Sequence, residues 1–322
     1  MRLRLLLVSF LLFSVCALAQ DPKVRQEATE LLERATAASS SPHLPDLERV
    51  DTFRVLDADS TAREGSYSRV VVQGTGSRLE FNLGTYHLVN VFTHGQVAIE
   101  GASQLVPPPF IDVQRITPIE RLNFDEEDVI HEIVDREEGG RMCRCIEFDT
   151  TRGQKTENNE LCVDSENGTL VCAKLGDEFI EYGDFFPFAG VLMPGKIIYS
   201  VGGKARLEIS QTMTELTDAT PNVLAAPPNA MIRRMCTTFR RAIGISMFQP
   251  KPGRLDGDYD VVVRGIVGED GKVHQPLVQV SEKPELNAEA VSLAQTWAFT
   301  PAMCDGKPFS TEVALTLHFQ GR

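Results

Sequence analysis

The chain has 322 residues and a formal net charge of -13 at pH 7. At about 150 residues per domain, this length predicts two domains. Apolar residues make up 42% of the sequence and charged residues 24%, which indicates a globular chain with a buried core and excludes a disordered or collagen-like protein. The acidic excess repels a phosphate backbone, so nucleic acid is not expected as a partner.

The first twenty residues have the pattern of a secretory signal peptide. Two Arg precede an apolar run over residues 5–15, and an Ala-Leu-Ala motif ends at Ala19 before the polar Gln20. We therefore predict cleavage between Ala19 and Gln20, which makes the mature protein periplasmic or secreted. The apolar run is shorter than the roughly 18 to 20 residues that span a bilayer, which favours cleavage. Retention of the segment as an inner-membrane anchor is the alternative.

Cleavage at Ala19 also removes Cys16 and leaves an even number of Cys in a compartment that permits disulfides. In the C-terminal part, Cys236 and Cys304 are the natural couple, because no other Cys lies there. The six remaining Cys are Cys143, Cys145, Cys162, Cys172, Cys236 and Cys304.

The pairing among the other four Cys depends on where the hairpins turn. A turn near residues 153–154 opposes Cys145 to Cys162, whereas a turn near residue 167 opposes Cys162 to Cys172. If Cys145 joins Cys162, then Cys143 and Cys172 are left to join each other. Four Cys allow three connectivities, and the sequence leaves this choice open.

Hydrophobic periodicity predicts one helix and then a long series of strands. Apolar residues at helical spacing predict an amphipathic helix over residues 21–41. Short alternating segments follow, and so many consecutive strands favour a strongly curved antiparallel sheet or an open barrel. The predicted strands are 52–57, 67–73, 78–83, 86–93 and 96–100, then, after a short helix around 112–124, 129–136, 141–149, 160–164, 169–175, 179–185, 195–201 and 205–212.

The C-terminal third begins with a segment rich in Pro and Ala, which predicts a linker. After it, Met231, Met235, Phe239 and Ile243 recur every four residues, which predicts a helix over residues 229–244. Two strands, a helix over 287–297 and a final strand over 310–319 complete an α+β fold. The predicted domains are a signal peptide at 1–19, a β-rich domain at 20–216, the linker at 217–228 and a second domain at 229–322.

Four motifs in the second domain resemble a known family. They are E-D-G-K-V at 269–273, P-E-L-N at 284–287, W-A-F-T-P at 297–301 and D-G-K-P at 305–308. In this order they resemble the TonB C-terminal domain of energy transducer TonB-like proteins. The resemblance implies a small β-β-α-β module that binds an extended peptide segment of an envelope protein, such as an outer-membrane receptor, in TonB-linked transport. The long Pro-rich spacer of a TonB transducer is absent, which argues against coupling to an inner-membrane motor.

A small sheet of this kind leaves edge strands, and an edge offers unpaired N–H and C=O groups to an added strand. By strand order, the last strand is the predicted docking edge. Its residues Val313, Leu315, Leu317 and Phe319 alternate and are expected to face the helix. The candidate docking residues are Ser310, Glu312, Ala314, Thr316 and His318.

The layout of residues 21–215 resembles the LolA-like lipoprotein carrier fold, because an initial helix, a long meander, a helical interruption and further strands occur in that order. The resemblance implies an open barrel whose apolar concave face holds acyl chains. Candidates for such a lining are Val71, Leu79, Phe81, Val89 and Val91, although ordinary core packing explains the same residues. A periplasmic carrier of lipid or lipoprotein is therefore the alternative function.

The sequence contains no recognisable catalytic motif. The six His are scattered, and the chain has no His-Glu-x-x-His motif, no G-x-S-x-G elbow and no Walker loop. We therefore predict a non-enzymatic binding protein that has no catalytic residue, no metal site and no cofactor.

Overall fold

A computed structural model of the protein describes residues 21–41, 43–56, 62–101, 105–116, 123–152, 155–217, 221–251 and 255–321. The predicted signal peptide and its cleavage between Ala19 and Gln20 lie outside these residues. Within the described ranges, no helix is both long enough and apolar enough to cross a membrane.

The first helix, Pro22–Ser39 (α1), begins where Asp21 accepts a hydrogen bond from the backbone N–H of Lys23. Five strands follow, and then a second helix, Pro108–Ile116 (α2), which starts at Pro108 and therefore earlier than the predicted 112–124. Residues 117–122 of that predicted helix lie outside the described residues. The five strands are Leu47–Leu56 (β1), Ala62–Val72 (β2), Gly76–Leu83 (β3), Tyr86–Thr93 (β4) and Gln96–Glu100 (β5).

Nine more strands complete the first domain, and each overlaps a predicted strand or belongs to one short added hairpin. The strands are Asp128–Glu138 (β6), Arg141–Arg152 (β7), Lys155–Asp164 (β8), Leu170–Leu175 (β9), Glu178–Gly183 (β10), Phe186–Phe188 (β11), Val191–Met193 (β12), Lys196–Val201 (β13) and Lys204–Glu215 (β14).

Among its described residues, the C-terminal part contains nine strands and one α-helix. They are Met231–Arg234 (β15), Phe239–Arg240 (β16), Ile243–Ser246 (β17), Tyr259–Val267 (β18), Val273–Ser281 (β19), Asn287–Thr296 (α3), Ala298–Thr300 (β20), Ala302–Cys304 (β21), Lys307–Phe309 (β22) and Thr311–Phe319 (β23).

Thirteen strands form one antiparallel sheet, in the order β15-β5-β4-β3-β2-β1-β14-β13-β10-β9-β8-β7-β6. The sheet does not close, because β15 and β6 lie at its two ends. A sheet of this many strands curls, and α1 and α2 pack into the same hydrophobic core as its inner residues. The expected curved antiparallel sheet with few helices is therefore confirmed in outline.

An aromatic cluster fixes α2 to the concave face. The ring of Phe81 lies 5.4 Å from that of Phe53, 6.0 Å from Tyr86 and 5.0 Å from Phe110 of α2. Gly65 lies opposite Phe53 in the neighbouring strand, and a Cβ at Gly65 would come within 2.2 Å of the Phe53 ring. The close approach of the Phe53 ring therefore requires glycine at position 65. Phe81 is fully buried and belongs to the hydrophobic core.

The predicted helix over residues 229–244 is wrong. Residues 231–234 form β15, which pairs with β5 of the large sheet, and two further short strands follow it. A spacing of four residues fits a helical face only approximately, and it is also a multiple of the two-residue repeat of a strand. The stripe from Met231 to Ile243 therefore satisfied both periods, and pairing with β5 decided between them.

Two disulfides join Cys145 to Cys162 and Cys236 to Cys304. In the sheet, Cys162 lies opposite both Cys145 on β7 and Cys172 on β9, so both predicted oppositions occur together. The hypothesised bond between Cys143 and Cys172 is absent, because both are free buried thiols in the structure. Cys143 lies opposite Asp164 rather than Cys172, so the register gives it no Cys partner.

We expect these two thiols to resist alkylation in the native protein. Burial raises the pKa of Cys143, and it raises the pKa of Cys172 to about 12, so the reactive thiolate is scarce at neutral pH. Iodoacetamide should therefore label neither residue before unfolding, and should label both in denaturant without reductant. Peptide mapping by mass spectrometry checks this; alkylation of Cys145 or Cys162 under the same conditions would contradict the disulfide assignment.

Candidate functional site

The last strand lies at an edge of its sheet. The three-stranded sheet of the C-terminal domain has the order β19-β18-β23. β18 pairs with β23 from Tyr259–Phe319 at one end to Val267–Thr311 at the other. Within the described residues, no strand pairs with the opposite side of β23, so that side of the strand has no strand partner.

One hydrogen bond shows which backbone groups point outward from β23. The N–H of His318 donates to Oε1 of Gln249 at 3.1 Å, outside the sheet. Because backbone groups alternate along a strand, the N–H groups of Ala314 and Thr316 point to the same side. Of the predicted docking residues, Glu312, Ala314, Thr316 and His318 are therefore the ones whose N–H groups face away from β18, whereas Ser310 precedes the strand.

The opposite edge, β19, is less suited to an added strand. Gln275 adopts a positive φ of 49°, and Pro276 follows it without an N–H to donate. The pairing with β18 shifts register twice, between Val262 and Val263 and between Arg264 and Ile266. Bulges and Pro are the features by which proteins block edge pairing. β23 is thus the regular edge of this sheet.

The five predicted docking residues differ in how free they are. Glu312 forms an ion pair with Arg264, a buried residue whose pKa is lowered by desolvation. The ring of His318 lies 2.6 Å from the carboxylate of Asp260. Ala314 and Thr316 lie between these contacts and are exposed. The open part of the edge is therefore centred on these two residues.

Ser310 and Glu312 instead border a cavity of about 530 Å³ between β23 and the large sheet. Nη1 of Arg264 donates to the backbone oxygen of Val106 at 2.7 Å, which fixes the C-terminal domain against the segment before α2. The apolar part of the cavity lining comprises Leu88, Ile99, Val106, Phe110, Met231, Ile266 and Phe309.

Sequence reasoning missed Arg264 and Gln249. Arg264 interrupts the apolar run Val261–Ile266, and a charge inside a buried strand is a signal that it has a partner. Its partner, Glu312, lies on another strand, so only the register of β18 and β23 reveals the pair.

Among the described residues, one group has metal-ligand geometry: Cys145, Glu160 and Cys162, whose ligand atoms lie within 4.8 Å of one another. Both sulfur atoms are joined in a disulfide. Since the thiolate is the metal ligand, this group is not offered as a metal site.

Comparison with protein families supports one of the two resemblances directly. Residues 254–320 match the family described as the Gram-negative bacterial TonB protein C-terminal. The matched range contains β18, β19, α3 and β23. No curated protein matches the chain in sequence.

Solved structures similar to this chain include members of the LolA superfamily. A LolA superfamily protein from Nitrosomonas europaea is 16% identical, with a TM-score of 0.39 over 62% of this chain and 97% of that chain. A DUF1329 family protein from Desulfovibrio piger is 8% identical, with a TM-score of 0.41 over 63% and 97%. The MucA/MucB complex of Pseudomonas aeruginosa is 14% identical, with a TM-score of 0.30 over 85% of this chain and 98% of that chain. These TM-scores are too low to transfer any property to this chain.

Proposed function

We propose that this chain is an exported, non-enzymatic envelope protein that binds an extended peptide by strand addition to β23. The observation that carries the proposal is the open edge of β23, where the N–H groups of Ala314 and Thr316 point away from β18 and have no strand partner. The match of residues 254–320 to the TonB C-terminal family supports it.

Strand addition separates affinity from specificity. Backbone hydrogen bonds along the edge provide affinity for any extended segment, whereas alternate side chains of that segment are read by neighbouring surfaces. The cavity beside Glu312 lies at the N-terminal end of β23 and has room for a partner side chain. We propose a segment of another envelope protein, such as an outer-membrane receptor, as the partner.

The test removes the outward N–H groups and leaves the sheet intact. In the chain from Gln20 onward, Ala314→Pro with Thr316→Pro deletes two edge donors, and Pro is tolerated where the N–H side of an edge strand is unpaired. We expect the variant to lose all partners that the parent protein captures from an envelope extract. Captured segments should also slow hydrogen exchange at the amides of Ala314 and Thr316 in the parent protein.

The matched control is Ala314→Val with Thr316→Val, which changes the same side chains but keeps both N–H groups. It should capture the same partners as the parent. Trp297 is the single Trp and is buried in this domain, so unchanged emission verifies the fold of each variant. An unchanged partner set in the Pro variant, with the Trp297 signal preserved, would reject β23 as the docking edge.

The carrier function remains a second proposal, and one observation favours it. A cavity of about 310 Å³ lies at the end of α1, where Leu47, Val71, Met193 and Met213 provide an apolar lining. Acyl lipid found by native mass spectrometry in gently purified protein, and lost in Val71→Asp, would support a carrier. Lipid-free protein would count against it.

A further inference from the structure

The segment 239–248 exposes an unusual amount of apolar surface. Phe239, Ile243, Ile245, Met247 and Phe248 are each more than half exposed, and Ile245 reaches 69%. Single exposed apolar residues are ordinary on protein surfaces, but contiguous exposed apolar residues mark interaction sites. Five exposed apolar side chains within ten positions therefore make this segment a candidate interaction surface.

The backbone that carries these side chains is held firmly. β17 pairs with β20, and the register shifts between Gly244 and Ser246, which leaves Ile245 as the extra residue of a β-bulge. Bulges redirect side chains and are common beside functional sites. Nε1 of the buried Trp297 donates to the backbone oxygen of Phe248 at 2.9 Å. The exposed apolar side chains thus belong to an ordered part of the domain.

The same segment is cationic in an acidic protein. The sequence has neither Asp nor Glu from residue 219 to residue 255, although the whole chain has a formal net charge of -13. Arg240 and Arg241 are exposed. Within the described ranges, neither of them takes part in an ion pair. The segment is therefore both apolar and positively charged and has no acidic residue of its own, and the neighbouring carboxylate of Asp305 accepts hydrogen bonds from Thr237 and Thr238.

We infer that residues 239–248 form a membrane-binding surface that lies on an anionic phospholipid bilayer. Two contributions favour binding at such an interface. The apolar side chains enter the boundary of the acyl chains, and the Arg side chains bind lipid phosphates. The acidic excess of the protein opposes the approach to lipid phosphates, but charges more than about 8 Å from the surface are largely screened at physiological salt, so the local Arg side chains dominate at contact.

A second copy of this chain fits the surface less well. A two-fold dimer brings the same patch of each copy together. Arg240 and Arg241 would then face their equivalents, with no acidic residue of the segment 219–255 to compensate. A bilayer surface supplies phosphate to every Arg without this repulsion.

The test is co-sedimentation of the chain from Gln20 onward with lipid vesicles. We expect binding to vesicles of phosphatidylglycerol and phosphatidylethanolamine, none to phosphatidylcholine alone, and weaker binding as salt rises. Arg240→Gln with Arg241→Gln should weaken binding about 30-fold. Ile245→Asp should weaken it by at least about tenfold, since its side chain no longer enters the apolar layer.

Matched controls separate the patch from general surface properties. Leu277→Asp removes an exposed apolar residue on β19, and Lys204→Gln with Arg206→Gln removes two exposed charges from β14. Both should bind vesicles like the parent protein, and Trp297 emission should be unchanged in every variant. Equal binding to both vesicle types, no binding to either, or equal losses in the controls would overturn the inference. Light scattering that shows a dimer abolished by Ile245→Asp would also overturn it, in favour of a second copy.

Discussion

Replacing Cys236 and Cys304 by Ala is expected to lower the free energy of unfolding of the C-terminal domain by about 4 kcal/mol. The disulfide joins residues 68 positions apart, and a loop of that length loses about this much chain entropy when closed in the unfolded state. The bond also fastens β16, a strand of only two residues that pairs with β21. Hydrogen bonds of Thr237 and Thr238 to Asp305 hold the same strand from its N-terminal side.

Denaturant unfolding followed by Trp297 emission measures this loss, because the single Trp lies in the core of the affected domain. The matched control is Cys143→Ala with Cys172→Ala, which removes two sulfur atoms but no cross-link. A loss in the Cys236 and Cys304 variant no larger than in the control would contradict the expected role of the disulfide.

The second large effect is expected from Arg49→Met, at about 3–5 kcal/mol of destabilisation. Nε of Arg49 donates to both carboxylate oxygens of Asp51 at 3.0 Å, its guanidinium lies 5.0 Å from the ring centre of Tyr67, and both charged residues are buried. Removing Arg49 leaves the carboxylate of Asp51 buried without its partner. The double variant Arg49→Met with Asp51→Leu should recover most of the loss, since it leaves no buried charge.

The deficit of Arg49→Met should depend on pH. Burial already raises the pKa of Asp51, and the pKa rises further when the Arg is removed. A carboxyl whose folded pKa exceeds its unfolded pKa favours folding at low pH and loses that contribution as pH rises through the folded pKa. The variant should therefore lie closer to the parent protein at about pH 5 than at about pH 8. A deficit that is constant across this range would show that Asp51 of the folded variant is already ionised at about pH 5, which would contradict the expected rise of its pKa.

Much of the large sheet follows from local pattern. β4 and β5 have the predicted bounds, because turns containing Gly84, Gly95 and Gly101 flank both strands. The helix of residues 287–296 also follows from its spacing. Residues 231–243 were misassigned, since a four-residue spacing fits two kinds of structure and only pairing with β5 distinguishes them.

The candidate docking site was partly readable in the same way. Strand order suggested that residues 310–319 form an edge, and the alternation along β23 separated inward from outward positions. The ion pair of Arg264 with Glu312 depends on cross-strand register, which no local pattern encodes. The sequence also could not decide whether Cys162 bonds to Cys145 or to Cys172, because Cys162 lies opposite both residues in the sheet.

The pairing of β15 with β5 changes what the Pro- and Ala-rich connection does. A free linker of twelve residues would let the second domain wander over roughly 20 Å. β15 instead extends the large sheet directly, so the chain re-enters ordered structure before the C-terminal domain begins. The second domain therefore starts from a fixed position at the edge of the large sheet, beside β5, and not from the end of a free linker.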